Sequence, residues 1–147
     1  MTTRTGAADA TGTELSIGEV STLTGLTVHT LRFYEQEGLF LRSVRRDAGG
    51  RRVFSQEEVE WLKICTKLRS SEMPLPEIRH YAQLVVAGAG NENERLEILR
   101  RHEAKVRQQV TDLQDTLAVI QRKVDIYVSH LSAGTADQLW VNGPECD

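Results

Sequence analysis

The first regular pattern of apolar positions begins near Leu15 and predicts a short helix. Ser16 and Glu19 have the spacing of a capping box, in which each side chain accepts a hydrogen bond from the other residue's backbone amide. Gly25 can adopt the positive φ of a tight turn, so we expect the helix to end there. The apolar residues that repeat every three positions, and that are expected to form one buried face, are Ile17, Val20 and Leu23.

A second helix is predicted directly after this turn. Thr27 is the candidate N-cap, and the segment that starts at Val28 ends at Gly38. Two short helices joined by a glycine-containing turn form a helix-turn-helix pattern. That pattern alone does not distinguish a DNA-binding unit from an αα-corner of an ordinary domain.

Residues 39–54 change to β-strand character. Two β-competent pieces, around Val44 and around Val53 and Phe54, flank the turn sequence DAGG at residues 47–50. Paired strands of this size are marginally stable alone, so we expect the hairpin to pack against the two helices. A basic hairpin directly after a helix-turn-helix is typical of a DNA-binding wing, and a solvated surface hairpin is the alternative interpretation.

Two further helices complete the predicted head of the protein. Ser55 and Glu58 form a second capping box, which opens an amphipathic helix. The sequence MPLP at residues 73–76 interrupts it, because proline is tolerated only in the first turn of a helix. Another helix is expected over residues 77–87. The apolar positions of the first of these helices are Val59, Leu62, Ile64, Cys65 and Leu68.

Residues 91–131 carry the most regular pattern in the chain. Apolar residues alternate at steps of three and four over five heptads, with one gap where Glu103 takes a seam position, which predicts a coiled coil rather than a lone amphipathic helix. The head is too small to bury this whole seam, so much of it is expected to meet another chain, most simply a second copy in a homodimer. The residues assigned to dimerisation are Leu99, Val106, Val110, Leu113, Leu117, Ile120 and Val124.

The local distribution of charge changes the picture that the net charge suggests. The chain has a net charge of −3, which taken alone argues against nucleic acid. Residues 42–52, however, hold five arginines and one aspartate, a local charge of +4. Because phosphate contacts respond to the local field, an acidic protein with one basic face can bind DNA.

Composition and segment lengths predict an ordinary globular protein of mainly α fold. The chain is 39% hydrophobic and 27% charged, which is typical of globular proteins. It has no apolar run long enough to span a membrane, and its first residues lack the apolar core of a signal peptide. We therefore expect a cytoplasmic, nucleoid-associated protein. The expected order is a disordered arm (1–14), a winged helix-turn-helix head with a β-hairpin wing (15–88), a long coiled-coil dimerisation helix (91–131) and a flexible tail (132–147).

Several motifs together resemble the MerR family of transcriptional regulators. The sequence LRFYE at residues 31–35, followed by Gly38 and Leu39, is highly specific to that family. The resemblance continues through IGEV at 17–20, GRRVF at 50–54, Trp61 and MPLPEI at 73–78, and covers residues 15–131. It implies an antiparallel coiled coil that holds two heads on a two-fold DNA site. Family members bind double-stranded promoter DNA with an over-long spacer between the −35 and −10 elements, and distort it so that RNA polymerase, an indirect partner, can contact both.

The expected DNA contacts divide between the second helix and the wing. Recognition helices present their N-terminal residues to base edges. His29 can donate to or accept from a base and Val28 can contact a thymine methyl group, although a merely solvated His29 is the alternative. Phe33 is expected to pack in the head. The expected base contacts are Thr27, Val28, His29 and Thr30. The resemblance implies that Arg32 and Tyr34 are the family's backbone-contacting pair and that Arg52 is its wing arginine; the other expected DNA contacts in the basic wing are Arg45 and Arg51.

No metal site, cofactor or enzymatic motif is expected. Metal-sensing relatives place cysteines near the start of the long helix and in a loop after it, whereas Cys65 and Cys146 lie in neither place. Cys65 is expected to be a buried small hydrophobe, with a redox role left open. No phosphate-binding loop or nucleophile elbow indicates an enzyme. Two classes of function remain. One is a transcriptional regulator with an unknown small-molecule effector but no large C-terminal effector domain, and the other is a non-regulatory architectural DNA binder.

Overall fold

The computed structural model describes residues 14–144, so the expectations for residues 1–13 and for Cys146 lie outside the described range. The described residues divide into two compact units, residues 14–99 and residues 100–144. Within the described range, no helix is both long enough and apolar enough to cross a membrane.

The helix-turn-helix begins at the two predicted N-caps and its first helix ends at the predicted Gly25, whereas its second helix ends at Gln36, two residues before the predicted Gly38. Helix α1 spans Ile17–Thr24 after the N-cap Ser16, whose hydroxyl accepts from the Glu19 amide at 3.1 Å. Helix α2 spans Val28–Gln36 after the N-cap Thr27, and Gly25 adopts a φ of 74° in the turn between the helices. The predicted buried face of α1 is wrong at Leu23, which is 49% exposed. Each three-residue step drifts by roughly 60° around a helix, so Leu23 lies about 120° from Ile17, and the three residues do not fit within one narrow buried stripe.

A three-stranded antiparallel sheet forms the wing and joins it to the start of the head. Strand β1 is Leu15–Ser16, β2 is Arg45–Arg46 and β3 is Arg52–Phe54, in the spatial order β1-β3-β2. The predicted hairpin is confirmed in β2 and β3, where Arg45 pairs with Val53. Strand β1 was not predicted: Leu15 lies opposite Phe54 on the other edge of β3.

Two helices pack behind the helix-turn-helix. Helix α3 spans Gln56–Ser70 from a complete capping box at Ser55, and α4 spans Leu75–Ala87, two residues longer at its start than predicted because Pro76 fits the first turn. Trp61 lies in the core, where its indole donates to the Leu39 carbonyl at 2.7 Å. Ile64 is 51% exposed, against expectation, because it lies about 200° around the helix from the buried Leu62.

The long helix and a short turn complete the described chain. Helix α5 spans Glu92–Ala133 and a 3₁₀ helix spans Ala136–Gln138. In the second unit, the Trp140 indole donates to the Tyr127 hydroxyl at 2.8 Å, and the Lys123 ammonium lies 5.2 Å from the Trp140 ring centre. No periodicity in residues 132–147 predicts this turn.

Candidate nucleic-acid interface

The first turn of α2 presents one side chain more freely than the others predicted to contact bases. The Thr27 hydroxyl accepts from the Thr30 amide at 3.1 Å and donates to the Thr30 hydroxyl at 2.9 Å, so it is engaged in the helix cap. Thr30 and Val28 are half-buried, whereas His29 is exposed. Of the four residues, His29 is therefore the one whose polar atoms are most available to a base edge.

The motif of residues 31–35 exposes a different aromatic ring from the one expected. Phe33 is 39% exposed, so the expectation that it packs in the head is wrong. Tyr34 is only 6% exposed, and burial raises the pKa of its hydroxyl. Helical geometry explains the exchange: Tyr34 follows the buried Leu31 by three residues and shares its face, while Arg32 and Phe33 lie on the outer side.

The turn of the wing is held by its one acidic residue. The Asp47 carboxylate accepts from the backbone amides of Gly49 and Arg51, both at 2.9 Å. The Asp47 amide in turn donates to the Arg51 carbonyl at 2.9 Å, and Gly50 takes a φ of 77° that only glycine adopts without strain. This network fixes the backbone of the residue that precedes β3.

Most of the wing's positive charge is already paired within the protein. Arg42 lies 2.9 Å from Glu57, Arg45 3.7 Å from Glu14 and Arg52 2.6 Å from Glu35. Arg46 donates to the Gly50 carbonyl at 2.9 Å. The side chain of Arg51 makes no such contact with any described residue. The local charge of +4 counted along the sequence is therefore largely offset by acids that the fold brings to the wing.

The contact between Arg52 and Glu35 joins the two predicted DNA-binding elements. Arg52 lies in β3 and Glu35 in α2, and their side chains are 23% and 30% exposed. A charge-assisted hydrogen bond in this partly dry setting is stronger than a solvated one. The wing and the recognition helix are thus held to each other by side chains as well as by the core.

The residues assigned to dimerisation form an apolar seam that the described part of the chain leaves exposed. Val106 is half-buried and the rest are well exposed. The exposed fractions are Leu99 38%, Val110 48%, Leu113 69%, Leu117 52%, Ile120 52% and Val124 53%. Exposed apolar residues in one contiguous stripe are typical of a protein–protein contact.

Cys65 is buried, as predicted, and its environment suppresses thiol chemistry. The residue is 0% exposed, and burial raises the pKa of its thiol to about 12. Among the residues that the structure describes, no three histidines, cysteines or carboxylates converge on a point that could hold a metal ion.

Comparison with known proteins agrees with the geometry of the head and the long helix. The family model described as "MerR HTH family regulatory protein" matches residues 15–84, and the model "MerR, DNA binding" matches residues 59–123. An uncharacterized HTH-type transcriptional regulator of Haemophilus influenzae is 31% identical over 111 residues, which are 76% of this chain and 82% of that protein. The chain belongs to the MerR family.

Solved structures of MerR-family proteins show the same fold. One is a crystal structure of HiNmlR, a MerR family regulator lacking the sensor domain, bound to promoter DNA. HiNmlR is 27% identical to this chain with a TM-score of 0.76, and the match covers 86% of this chain and 99% of HiNmlR. Another is a putative MerR family transcriptional regulator from Listeria monocytogenes, 25% identical, with a TM-score of 0.77 over 84% of this chain and 93% of that one. This MerR-family protein is a DNA-binding transcriptional regulator and not an enzyme, and its mainly α fold with a wing is confirmed.

Proposed function

We propose that this MerR-family regulator acts as a homodimer that binds the spacer DNA of promoters and distorts it, thereby controlling RNA polymerase. The observation that carries the proposal is the contact between Arg52 and Glu35, because it makes the recognition helix and the wing one surface. The structural relative bound to promoter DNA supports the choice of ligand. Two such surfaces, related by a two-fold axis, would contact a palindromic site.

Within each half-site, the chemistry of a side chain decides whether it is assigned to a base or to a phosphate. His29 and its neighbours at the start of α2 are assigned to base edges, where an imidazole can donate or accept. The exposed Arg32 and Arg51 are assigned to phosphates, which fix the register of the protein on the duplex. Arg45 and Arg52 would meet a phosphate by exchanging Glu14 and Glu35 for it, whereas the buried Tyr34 is not assigned a contact. The exposed Phe33, beside Arg32, adds an apolar contact with the sugar–phosphate backbone that the sequence motif did not predict.

A second copy of the chain is the proposed occupant of the α5 seam. Burying a fully exposed leucine contributes about 1.5–3 kcal/mol, so Leu113 and Leu117, which are 69% and 52% exposed, would each contribute roughly half of that on association. A dimer also lets two small heads bind cooperatively, because the second head binds at the high effective concentration set by the first.

The experiment that tests the proposal begins with genome-wide mapping of bound sites, followed by footprinting on the strongest promoter. We expect a two-fold footprint inside the spacer, together with a change in the linking number of a small DNA circle that carries the site. A footprint outside promoters, with no change in linking number, would instead indicate an architectural DNA binder and contradict the proposal.

His29 provides a sharper test of the base contacts. Replacing His29→Ala should weaken binding to the operator by about 1–3 kcal/mol and leave binding to a scrambled duplex unchanged. The matched control is Gln36→Ala at the far end of the same helix, which should bind both duplexes as the wild type does. Equal weakening of both duplexes by His29→Ala would show that His29 contacts the backbone.

A further inference from the structure

The head contains a groove that the DNA-binding surface does not use. It lies between the chain that leads into the wing and the first turns of α3, and its volume is about 430 Å³. We call it the α3 groove. The lining residues that matter here are Leu41, Arg42, Glu57, Glu58, Trp61 and Ile64. A volume of this size lies within the range that small organic ligands fill in proteins.

The apolar part of the groove is open to solvent. Ile64 is 51% exposed although it is a large aliphatic residue, and Leu41 is only half-buried. Trp61 forms part of the same wall. Covering Ile64 and Leu41 with an apolar group would be favourable because their exposed surface would leave water, whereas Trp61 is already buried.

The polar part of the groove contains a buried carboxylate that is incompletely satisfied. Glu58 is 1% exposed. One of its oxygens accepts from the Ser55 amide at 2.7 Å, but the other, Oε1, accepts no hydrogen bond. The nearest cationic atom to Oε1 is the Nε of Arg42, at 3.9 Å, too far for a hydrogen bond. A buried anion in this state is stabilised strongly by any donor cation that approaches more closely.

A ligand could displace Arg42 as the cation nearest to Glu58, because the Arg42 side chain is held only by contacts at the surface. Its side chain is 54% exposed, and its one hydrogen bond to a carboxylate is with Glu57, which is 80% exposed. Exposed ion pairs of this kind contribute little to stability. A ligand that carries its own cation could therefore displace Arg42 without disrupting the core.

We propose that the α3 groove is an effector site for a small organic cation with an apolar ring, whose ammonium group takes the place of Arg42 on Glu58 and Glu57. The ring covers Ile64 and Leu41, and the charge offsets the two carboxylates. Arg42 precedes strand β2 by three residues, so its release changes the charge at the base of the wing. The role as an effector site rests on the proposed function, whereas the binding of a cation to the groove can be measured without DNA.

Three probes of the same shape and different charge test the chemistry of the groove. They are 1-naphthylmethylammonium, 1-naphthalenemethanol and 1-naphthaleneacetate, each titrated into the full chain while the Ile64 methyl and Trp61 indole resonances are followed. We expect the cation to bind about tenfold more tightly than the alcohol, and the anion not to bind. Equal binding of all three, shifts outside the groove, or no binding at millimolar concentration would overturn the proposal.

Two variants change the affinity for the cation in opposite directions. Arg42→Gln removes the competing charge, so the ammonium probe should bind about threefold more tightly. Ile64→Arg places a cation and bulk in the groove, and binding should fall by about tenfold or more. The matched controls are Arg46→Gln, in the wing, and Val86→Arg, on the exposed side of α4, and neither should change the affinity. Weaker binding in Arg42→Gln would contradict the exchange of one cation for another.

The effector role is tested on DNA with the same proteins. Saturating ammonium probe should change the operator affinity of the wild type and leave that of Ile64→Arg unaltered. If the probe occupies the groove and operator binding does not respond, the groove is not an effector site. If the wild type binds no specific operator while the probe still binds, the proposed function fails and the cation site stands.

Discussion

Arg51 differs from the other arginines of the wing in what its side chain can reach. The other four each contact a carboxylate or a carbonyl of the protein, whereas Arg51 contacts none among the described residues. Its backbone is nevertheless fixed, because its amide donates to Asp47. An ordered backbone with a free guanidinium suits a phosphate contact, since no internal ion pair must be broken when DNA binds.

Replacing Arg51→Ala should therefore weaken operator and scrambled duplexes alike. We expect the slope of log K against log salt to become less negative by ~0.9 for each phosphate that a protomer no longer neutralises. Binding is measured by titration across a salt series. Arg51→Lys is the matched control and should keep the slope because it keeps the charge. An unchanged slope in Arg51→Ala would mean that this arginine does not meet a phosphate.

The thiol of Cys65 should be nearly inert in the folded protein. With a pKa of about 12, against 9.0 for an unburied thiol, its thiolate fraction at pH 8 falls by roughly a thousandfold. In a Cys146→Ser background, alkylation by iodoacetamide, followed by mass spectrometry, should be slower than in the urea-unfolded chain by at least that factor. The same protein should bind operator within about threefold of the wild type. Equal alkylation rates would show that Cys65 is accessible.

At the scale of single residues, the sequence predicts the contacts that form between residues close together in the chain. The caps at Ser16, Thr27 and Ser55 are correct because the groups that they satisfy lie three residues away. The pairing of Arg52 could not be predicted, because its partner Glu35 is 17 residues distant and is brought close only by the fold. The exposure of Phe33 depends in the same way on which face of α2 meets the core.

Between elements, the ion pair of Arg52 and Glu35 should be energetically coupled. Both side chains are less than a third exposed, so a double-mutant cycle with Arg52→Gln and Glu35→Gln should give a coupling energy of about 1 kcal/mol in chemical denaturation. The matched control is the pair Lys63 and Glu60, which is about half exposed and should couple by no more than about 0.5 kcal/mol. Equal coupling in the two cycles would contradict the view that this pair fastens the wing.

The elements themselves could be predicted where their patterns are long. Helices α3 and α5 carry enough periods to be identified, and their bounds differ from expectation by only one or two residues. Strand β1 has two residues, which is too short for any alternation to appear, and it exists only because β3 offers a free edge. The turn after α5 likewise depends on contacts of Trp140 with Tyr127 that no local pattern contains.

For the whole molecule, the seam of α5 predicts the state of association. Replacing both Leu113→Asp and Leu117→Asp should give monomers by sedimentation velocity, because each change puts a charge where an apolar contact is expected. The double variant should also lose operator binding. The matched control is Thr111→Asp with Ala118→Asp, which adds the same charge at exposed positions on the outer face of the same helix and should remain dimeric. A wild type that sediments as a monomer at micromolar concentration would contradict the homodimer.

The family, the fold class and the regulatory class could all be predicted from the chain, because the motif of residues 31–35 and the five heptads are both distinctive. The antiparallel arrangement of the coiled coil and the contacts with DNA could not be predicted from the residues alone, because they depend on a second chain and on the DNA. They stay predictions. The α3 groove has no sequence signal either, because its walls come from two segments about 15 residues apart.

The double role of Ser16 bears on how this head could be re-engineered. The residue closes β1, opposite Val53, and also caps α1. If residues 45–54 alone were transplanted from a relative, the new β3 would have to pair with the original β1. A poor match between these two strands would shift Ser16 and weaken the N-cap of α1. Chimeras should therefore exchange residues 14–16 together with the wing, as one discontinuous cassette.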